Sequence, residues 1–179
     1  KNLYQRGELL RRFSKGDSRF RAYLQDYTYF IFGLIELYQT DFNVKWLELA
    51  LNLQTKQDEL FWNEKTGSYF DSDGKDKTLL IRTKDRYDGA TPAGNSIAAI
   101  NLLKLASLSY EESFRNKALQ VIKSVSQNLK AHPRAHTMLL HAVDYSLDKS
   151  KEIAVVGNCQ NSKTKNMLTM LQSPFLPNK

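Results

Sequence analysis

A single cysteine, Cys159, in 179 residues leaves no internal disulfide framework and fits a reducing compartment, so the expected location is cytoplasmic. With no base nearby in sequence, it reads as an inert thiol. No apolar run approaches the ~20 residues of a membrane span, and no charged-then-apolar leader precedes the first helix pattern, so no membrane partner is expected. A dinucleotide fingerprint is missing too: Gly157 follows a strand pattern, but Asn158-Cys159-Gln160 lacks the remaining glycines, and no cofactor is expected. Histidines are scarce. His132 sits beside Pro133, while His136 and His141 are five apart, about 140° around a helix, which suits neither a metal pair nor an acid–base pair. The formal charge of +7 comes from scattered lysines and arginines without interleaved aromatics, so it reads as a solvated surface and no nucleic acid is expected.

What is present is a repeat. Residues 27–61 and 95–129 carry the same pattern 68 positions apart. Leu34, Ile35 and Leu37 fall on Leu102, Leu103 and Leu105; Phe42 and Trp46 fall on Tyr110 and Phe114; Ala50, Leu51 and Leu53 fall on Ala118, Leu119 and Val121. Each copy reads as two helices joined by a polar turn, and a helix pair that cannot bury its apolar surface alone implies stacked hairpins. The first helices, about 26–39 and 95–108, are apolar in almost every direction and are expected to be buried on all sides. The second helices, about 44–62 and 111–130, are amphipathic; Phe114, Ala118, Leu119, Val121, Ile122, Val125 and Leu129 follow helical spacing and predict an outer layer. Trp46, aligned with Phe114, is expected in the core, and Trp62 beside the insertion is freer. This layering favours an (α/α) toroid, although a flat two-layer solenoid gives a milder version of it.

The expected fold is therefore mainly α, with 1–150 as a partial toroid and 151–179 as a β-α tail. Residues 1–20 read as an arginine-rich lead-in, the end of a preceding module. A β-hairpin insertion is expected at about 63–84, from Tyr69-Phe70, the polar turn around Gly74, and Thr78-Leu79-Leu80-Ile81. Pro133 stops the fourth helix, 134–147 begins a third hairpin, 152–157 reads as a strand and 162–171 as a helix. A closed ring of six hairpins would need roughly twice this length, so the chain reads as a fragment whose isolated inner helices would favour aggregation.

The repeat also places the polar loops. Asp26 and Tyr27 fall on Gly94 and Asn95, so both inner helices begin at one end of the molecule, and Arg82, Lys84, Asp85, Arg86, Tyr87 and Asp88 enter that end through one loop. Asp26 and Asn95 are candidate helix N-caps. As a ligand site, the set suggests Asp26 and Asp88 as a catalytic carboxylate pair, with Tyr27, Arg82, Tyr87 and Asn95 contacting a polyhydroxylated or charged small molecule. Asp88, as a loop carboxylate that caps nothing, is expected to contribute to function rather than stability.

Several of these stretches carry a resemblance. Gln25-Asp26-Tyr27 opening an apolar helix, Phe61-Trp62 before Gly67-Ser68-Tyr69-Phe70, Arg82 with Asp88-Gly89-Ala90, Pro92-Ala93-Gly94-Asn95, and Val155-Val156-Gly157 with Phe175-Leu176-Pro177-Asn178 resemble the spermatogenesis-associated protein 20 family. The resemblance implies a thioredoxin-like domain elsewhere in the parent chain as partner, and a toroid similar to N-acylglucosamine 2-epimerases and six-hairpin glycosidases. It implies a small carbohydrate ligand and an epimerase-like or glycosidase-like reaction, with a non-catalytic scaffold or ligand-binding domain as the alternative. Gly89 between Asp88 and Ala90 departs from the family pattern without consequence.

Overall fold

The computed structural model describes residues 2–76, 79–148, 153–158 and 160–173. Helices α1 (Leu24–Asp41) and α2 (Val44–Phe61) form one antiparallel hairpin, and α3 (Gly94–Ser109) and α4 (Glu112–Ala131) form the second. The 68-residue repeat is visible in their terminations. Phe42 and Tyr110, which are repeat mates, both adopt the left-handed conformation after their helix (φ 55° and 59°), and their N–H groups donate to Tyr38 and Ala106. An aromatic residue in this conformation is strained, but the bond closes a helix carbonyl that would otherwise lack a partner.

The inner helices run parallel, in the register of the repeat. Gly94 approaches Leu24 so closely that an added Cβ would lie 3.0 Å from it. Further along, Asn101 Nδ2 donates to the Thr28 carbonyl at 2.8 Å, and Lys104 pairs with Glu36 at 2.6 Å. Positions 36 and 104 are repeat equivalents, so two neighbouring copies bind each other through opposite charges at the same position. Leu34 and Leu102 are buried, as the layering requires. In α3 every residue from Gly94 to Leu105 is buried, whereas α4 buries only Ala118, Val121 and Val125.

Helix α5 (Thr137–Leu147) packs on the other side of α3 after a 3₁₀ turn at Pro133–Ala135. The expectation of full burial therefore holds for α3, which has neighbours on both flanks, and fails for α1. Tyr29, Phe30 and Leu37 on α1 are exposed, because only one flank of α1 meets another inner helix. Trp46 and Phe114 are both partly buried against the core. Trp62 is less free than expected, its ring standing edge-on to Tyr69 at 4.9 Å.

Three further expectations need correction. The stretch expected as an arginine-rich lead-in is regular structure from Tyr4 to Arg21, an antiparallel meander of β1 (Tyr4–Gln5), β2 (Glu8–Ser14) and β3 (Asp17–Arg21). Its two-residue turns, Arg6-Gly7 and Lys15-Gly16, have positive φ at both positions, the primed turn that matches strand twist. Arginine and lysine replace the usual Asn or Asp there, which hid the turns. The hairpin insertion is shorter than predicted: β4 (Trp62–Asn63) pairs with β5 (Ser68–Tyr69), and 79–81 form no strand, with Leu80 and Ile81 exposed. In the tail, α6 (Ser162–Gln172) is helical as expected, but 153–156 are not a strand. Thr78, Glu152, Cys159 and Phe175-Leu176-Pro177-Asn178 lie outside the described residues.

Candidate functional site

Among the described residues, the long segment between Phe70 and Ala93 has no regular structure, and it meets the starting ends of the inner helices, where Leu24 N–H donates to the Asp71 carbonyl and Ala93 N–H to Asp88. Its polar residues enter this region as expected, but most are engaged by backbone. Asp88 is buried; Oδ1 accepts from Ala93 N–H at 2.8 Å, and Oδ2 from Met138 and Leu139 N–H at 2.9 and 3.1 Å. Those last two donors are otherwise unpartnered groups of the first turn of α5. Asp88 is thus a cap supplied by a distant loop, which corrects the expectation that it caps nothing.

Asn95 is buried in the first turn of α3 and does not serve as an N-cap. Its Oδ1 accepts from Tyr69 N–H at 2.9 Å and its Nδ2 donates to the Tyr69 carbonyl at 3.0 Å, as an adjacent strand would. Arg82 lies 4.0 Å over the Phe70 ring and donates to the carbonyls of Ser72 and Leu60, the latter in the last turn of α2, where a cation is favoured. Tyr27 is buried edge-on to Phe61, and its hydroxyl accepts from Leu9 N–H at 2.9 Å, tying the meander to the helices. Burial raises its phenol pKa. Tyr87 is exposed, its ring resting over Gly89.

Asp26 is different. It is the third residue of α1, not the N-cap; Oδ2 accepts from the Tyr23 N–H at 2.8 Å, one half of a capping box. The side chain remains 35% exposed, and Arg11, stacked at 4.5 Å over Tyr23, lies 3.9 Å from the same oxygen. It borders a cleft of about 740 Å³ between the meander and α1, lined by Tyr4, Arg11 and Phe13 on one side and by Gln25, Asp26, Tyr29 and Phe30 on the other. Of the six residues singled out in sequence, only Asp26 lines this cleft. Arg11 and Phe13 lie on β2 of the meander, a strand not among the expected elements, and without that wall nothing singles out Tyr29 on α1. The run Glu8–Ser14 is apolar at Leu9, Leu10 and Phe13 only and so lacks the apolar/polar alternation that marks a half-buried strand; the glycines at 7 and 16 that bound it are the one signal it offers.

A second polar cluster joins the outer helices to the hairpin. The fully buried Tyr69 phenol donates to Asp58 at 2.6 Å, Gln54 Nε2 donates to the same carboxylate at 2.8 Å, and Lys117 pairs with it. Burial pushes the Tyr69 pKa well above its ordinary 10.0, and the charge of Asp58 adds to the effect. The fold therefore holds this proton more tightly than the unfolded chain does, so the contribution is complete below pH 10.0 and is lost as pH rises above it. Chemical denaturation at about pH 9 and about pH 11 is expected to show a larger loss of stability in the native chain than in Tyr69→Phe. Equal losses would mean that Tyr69 does not titrate in this window.

Among the described residues no group of three or more His, Cys, Asp or Glu is arranged to hold a metal ion, and no helix is long and apolar enough to cross a membrane. No protein-family model matches the chain. Curated proteins do. Spermatogenesis-associated protein 20 of Rattus norvegicus is 35% identical over 159 residues, covering 88% of this chain and 20% of the relative, and the Homo sapiens protein is 34% identical over the same length. An uncharacterized protein of Caenorhabditis elegans is 31% identical over 164 residues, 92% of this chain and 22% of the relative. The chain spans about a fifth of the length of the curated relatives it matches.

Proposed function

We propose that this chain, a homologue of one fifth of spermatogenesis-associated protein 20, forms an arc of an (α/α) toroid and that its cleft binds a carbohydrate. The observation that carries the reading is the lining of that cleft. Asp26, Arg11 and Gln25 supply an acceptor and donors, while Tyr4, Phe13, Tyr29 and Phe30 supply apolar faces. Sugars present both kinds of surface, hydroxyl edges and CH faces, and such mixed pockets fix them by a few directed polar groups against aromatic walls. The parallel inner helices and antiparallel outer partners support the toroid part of the reading.

Binding without turnover is favoured over an epimerase-like or glycosidase-like reaction. A glycosidase needs two free carboxyl groups, and Asp88 is engaged by three backbone donors. For turnover, the second acid would have to come from outside this segment, in the parent chain that the resemblance pairs with a thioredoxin-like domain. Calorimetric titration of neutral mono- and oligosaccharides is expected to give saturable binding that Asp26→Ala weakens roughly tenfold or more, the loss of one hydrogen bond to a charged group. Phe13→Ala should weaken it as well. Binding that neither change affects, or no binding across the saccharide set, overturns the proposal.

A further inference from the structure

Along the segment Arg82 to Arg86 burial alternates, with Arg82, Lys84 and Arg86 half-buried and Thr83 and Asp85 exposed between them. This alternation puts three cations on one face of a single segment. Arg82 is held by carbonyls, as described. Among the described residues, Lys84 and Arg86 have no carboxylate partner in an ion pair. Lys84 Nζ instead donates to two hydroxyls, Thr66 Oγ1 and, at 3.1 Å, Ser68 Oγ, and it lies 4.3 Å over the same Phe70 ring that carries Arg82.

Acids are close by in the chain, yet they are engaged elsewhere. Asp71 accepts from the Thr83 hydroxyl and the Asp85 N–H, Asp73 pairs with Arg21, Asp85 accepts from Tyr87 N–H, and Asp88 caps α5. Half-burying like charges side by side is unfavourable unless something of opposite sign joins them. The effect reaches Lys84 itself: burial lowers its pKa, the positive charges of Arg86 and Arg82 lower it further, and Asp71 opposes them only in part.

We infer that the face formed by Lys84 and Arg86, with the exposed Thr66 hydroxyl beside them, binds a phosphate-class oxyanion. An ammonium and a planar guanidinium around a tetrahedral dianion provide charge-assisted hydrogen bonds, and the Thr66 hydroxyl, whose neighbour Ser68 is buried and bonded to it, can satisfy a further oxygen. The group can arrive as inorganic phosphate or as the phosphoryl group of a small ester. A single-charged or planar anion uses fewer of these donors and binds less tightly. The site does not draw on Asp26 or the cleft, so its fate is independent of the carbohydrate reading.

The test is thermal unfolding of the full chain against increasing inorganic phosphate, with sodium chloride at matched ionic strength as the reference and glycerol phosphate as the ester. A saturable rise in midpoint with phosphate and not with chloride is the expected result. Lys84→Gln and Arg86→Gln should each reduce the apparent affinity roughly tenfold, measured against each variant's own anion-free midpoint. NMR titration of Lys84 should show its pKa raised by phosphate, since a bound anion opposes loss of the proton. A stronger response to the ester than to inorganic phosphate identifies an ester as the occupant, and the reverse identifies the free ion. A response equal to that of chloride, or one that survives both substitutions unchanged, overturns the inference. If Arg86→Gln fails to fold, Lys84→Gln and the NMR titration decide it.

Discussion

Asp88→Asn is expected to destabilise the fold by about 3 kcal/mol, although the two side chains have nearly the same shape. The carboxylate presents acceptors at both oxygens, to Ala93 on one side and to Met138 and Leu139 on the other. An amide offers one oxygen and one NH₂. If the NH₂ faces Ala93, one buried donor meets another donor; if it faces α5, two do. Each unsatisfied buried donor costs ~1–3 kcal/mol, and the interaction of a negative charge with the positive end of α5 is lost as well. For a chain of 179 residues the midpoint should fall by roughly 6–12 °C. Thermal and urea unfolding measure this directly. A loop carboxylate kept for ligand binding alone would show the reverse pattern, lost binding with unchanged stability, and a cost under about 1 kcal/mol would rule out the clamp.

The same residue shows where the sequence was legible and where it was not. The layering was readable because it rests on periodicity. Leu34 and Leu102 stand 68 positions apart and are both buried, and Glu36 meets Lys104 in the register the repeat dictates. Periodicity says nothing about partners brought together across long separations. Asp88 meets Met138 from 50 positions away, and Arg82 meets Leu60 from 22. A cluster of charged and amide side chains in one loop reads as a site from sequence, since nothing there reveals that backbone groups of three helices converge on the loop. The meander was missed for another reason: its turns use Arg6-Gly7 and Lys15-Gly16, and its short strands are rich in arginine. That error removed Arg11 and Phe13 from view and with them one wall of the cleft.

Asn95→Asp should be at least as damaging at neutral pH, and its damage should depend on pH. Asn95 gives and receives one hydrogen bond with the backbone of Tyr69, and its Nδ2 also reaches the Asp85 carbonyl at 3.4 Å. An ionised aspartate keeps the acceptor and loses both donors, so the Tyr69 carbonyl faces an anion instead of an N–H. It also puts a charge at a position that is 2% exposed, and the expected cost is about 3–4 kcal/mol. Burial should raise the pKa of the introduced carboxyl above the ~3.9 of an unfolded aspartate, with the N-terminus of α3 opposing that rise in part. The folded variant then binds a proton more tightly than its unfolded chain, so its stability is highest below the unfolded pKa and falls as pH rises through the folded one. A protonated carboxyl can also donate to the Tyr69 carbonyl and restore one lost bond. Urea unfolding of the variant and the native chain at about pH 7 and about pH 4.5 should therefore show a gap that narrows in acid. A gap that stays constant would mean that the introduced carboxyl remains ionised throughout, and one that widens would mean that the pairing of Asn95 with Tyr69 is not what holds the hairpin against α3.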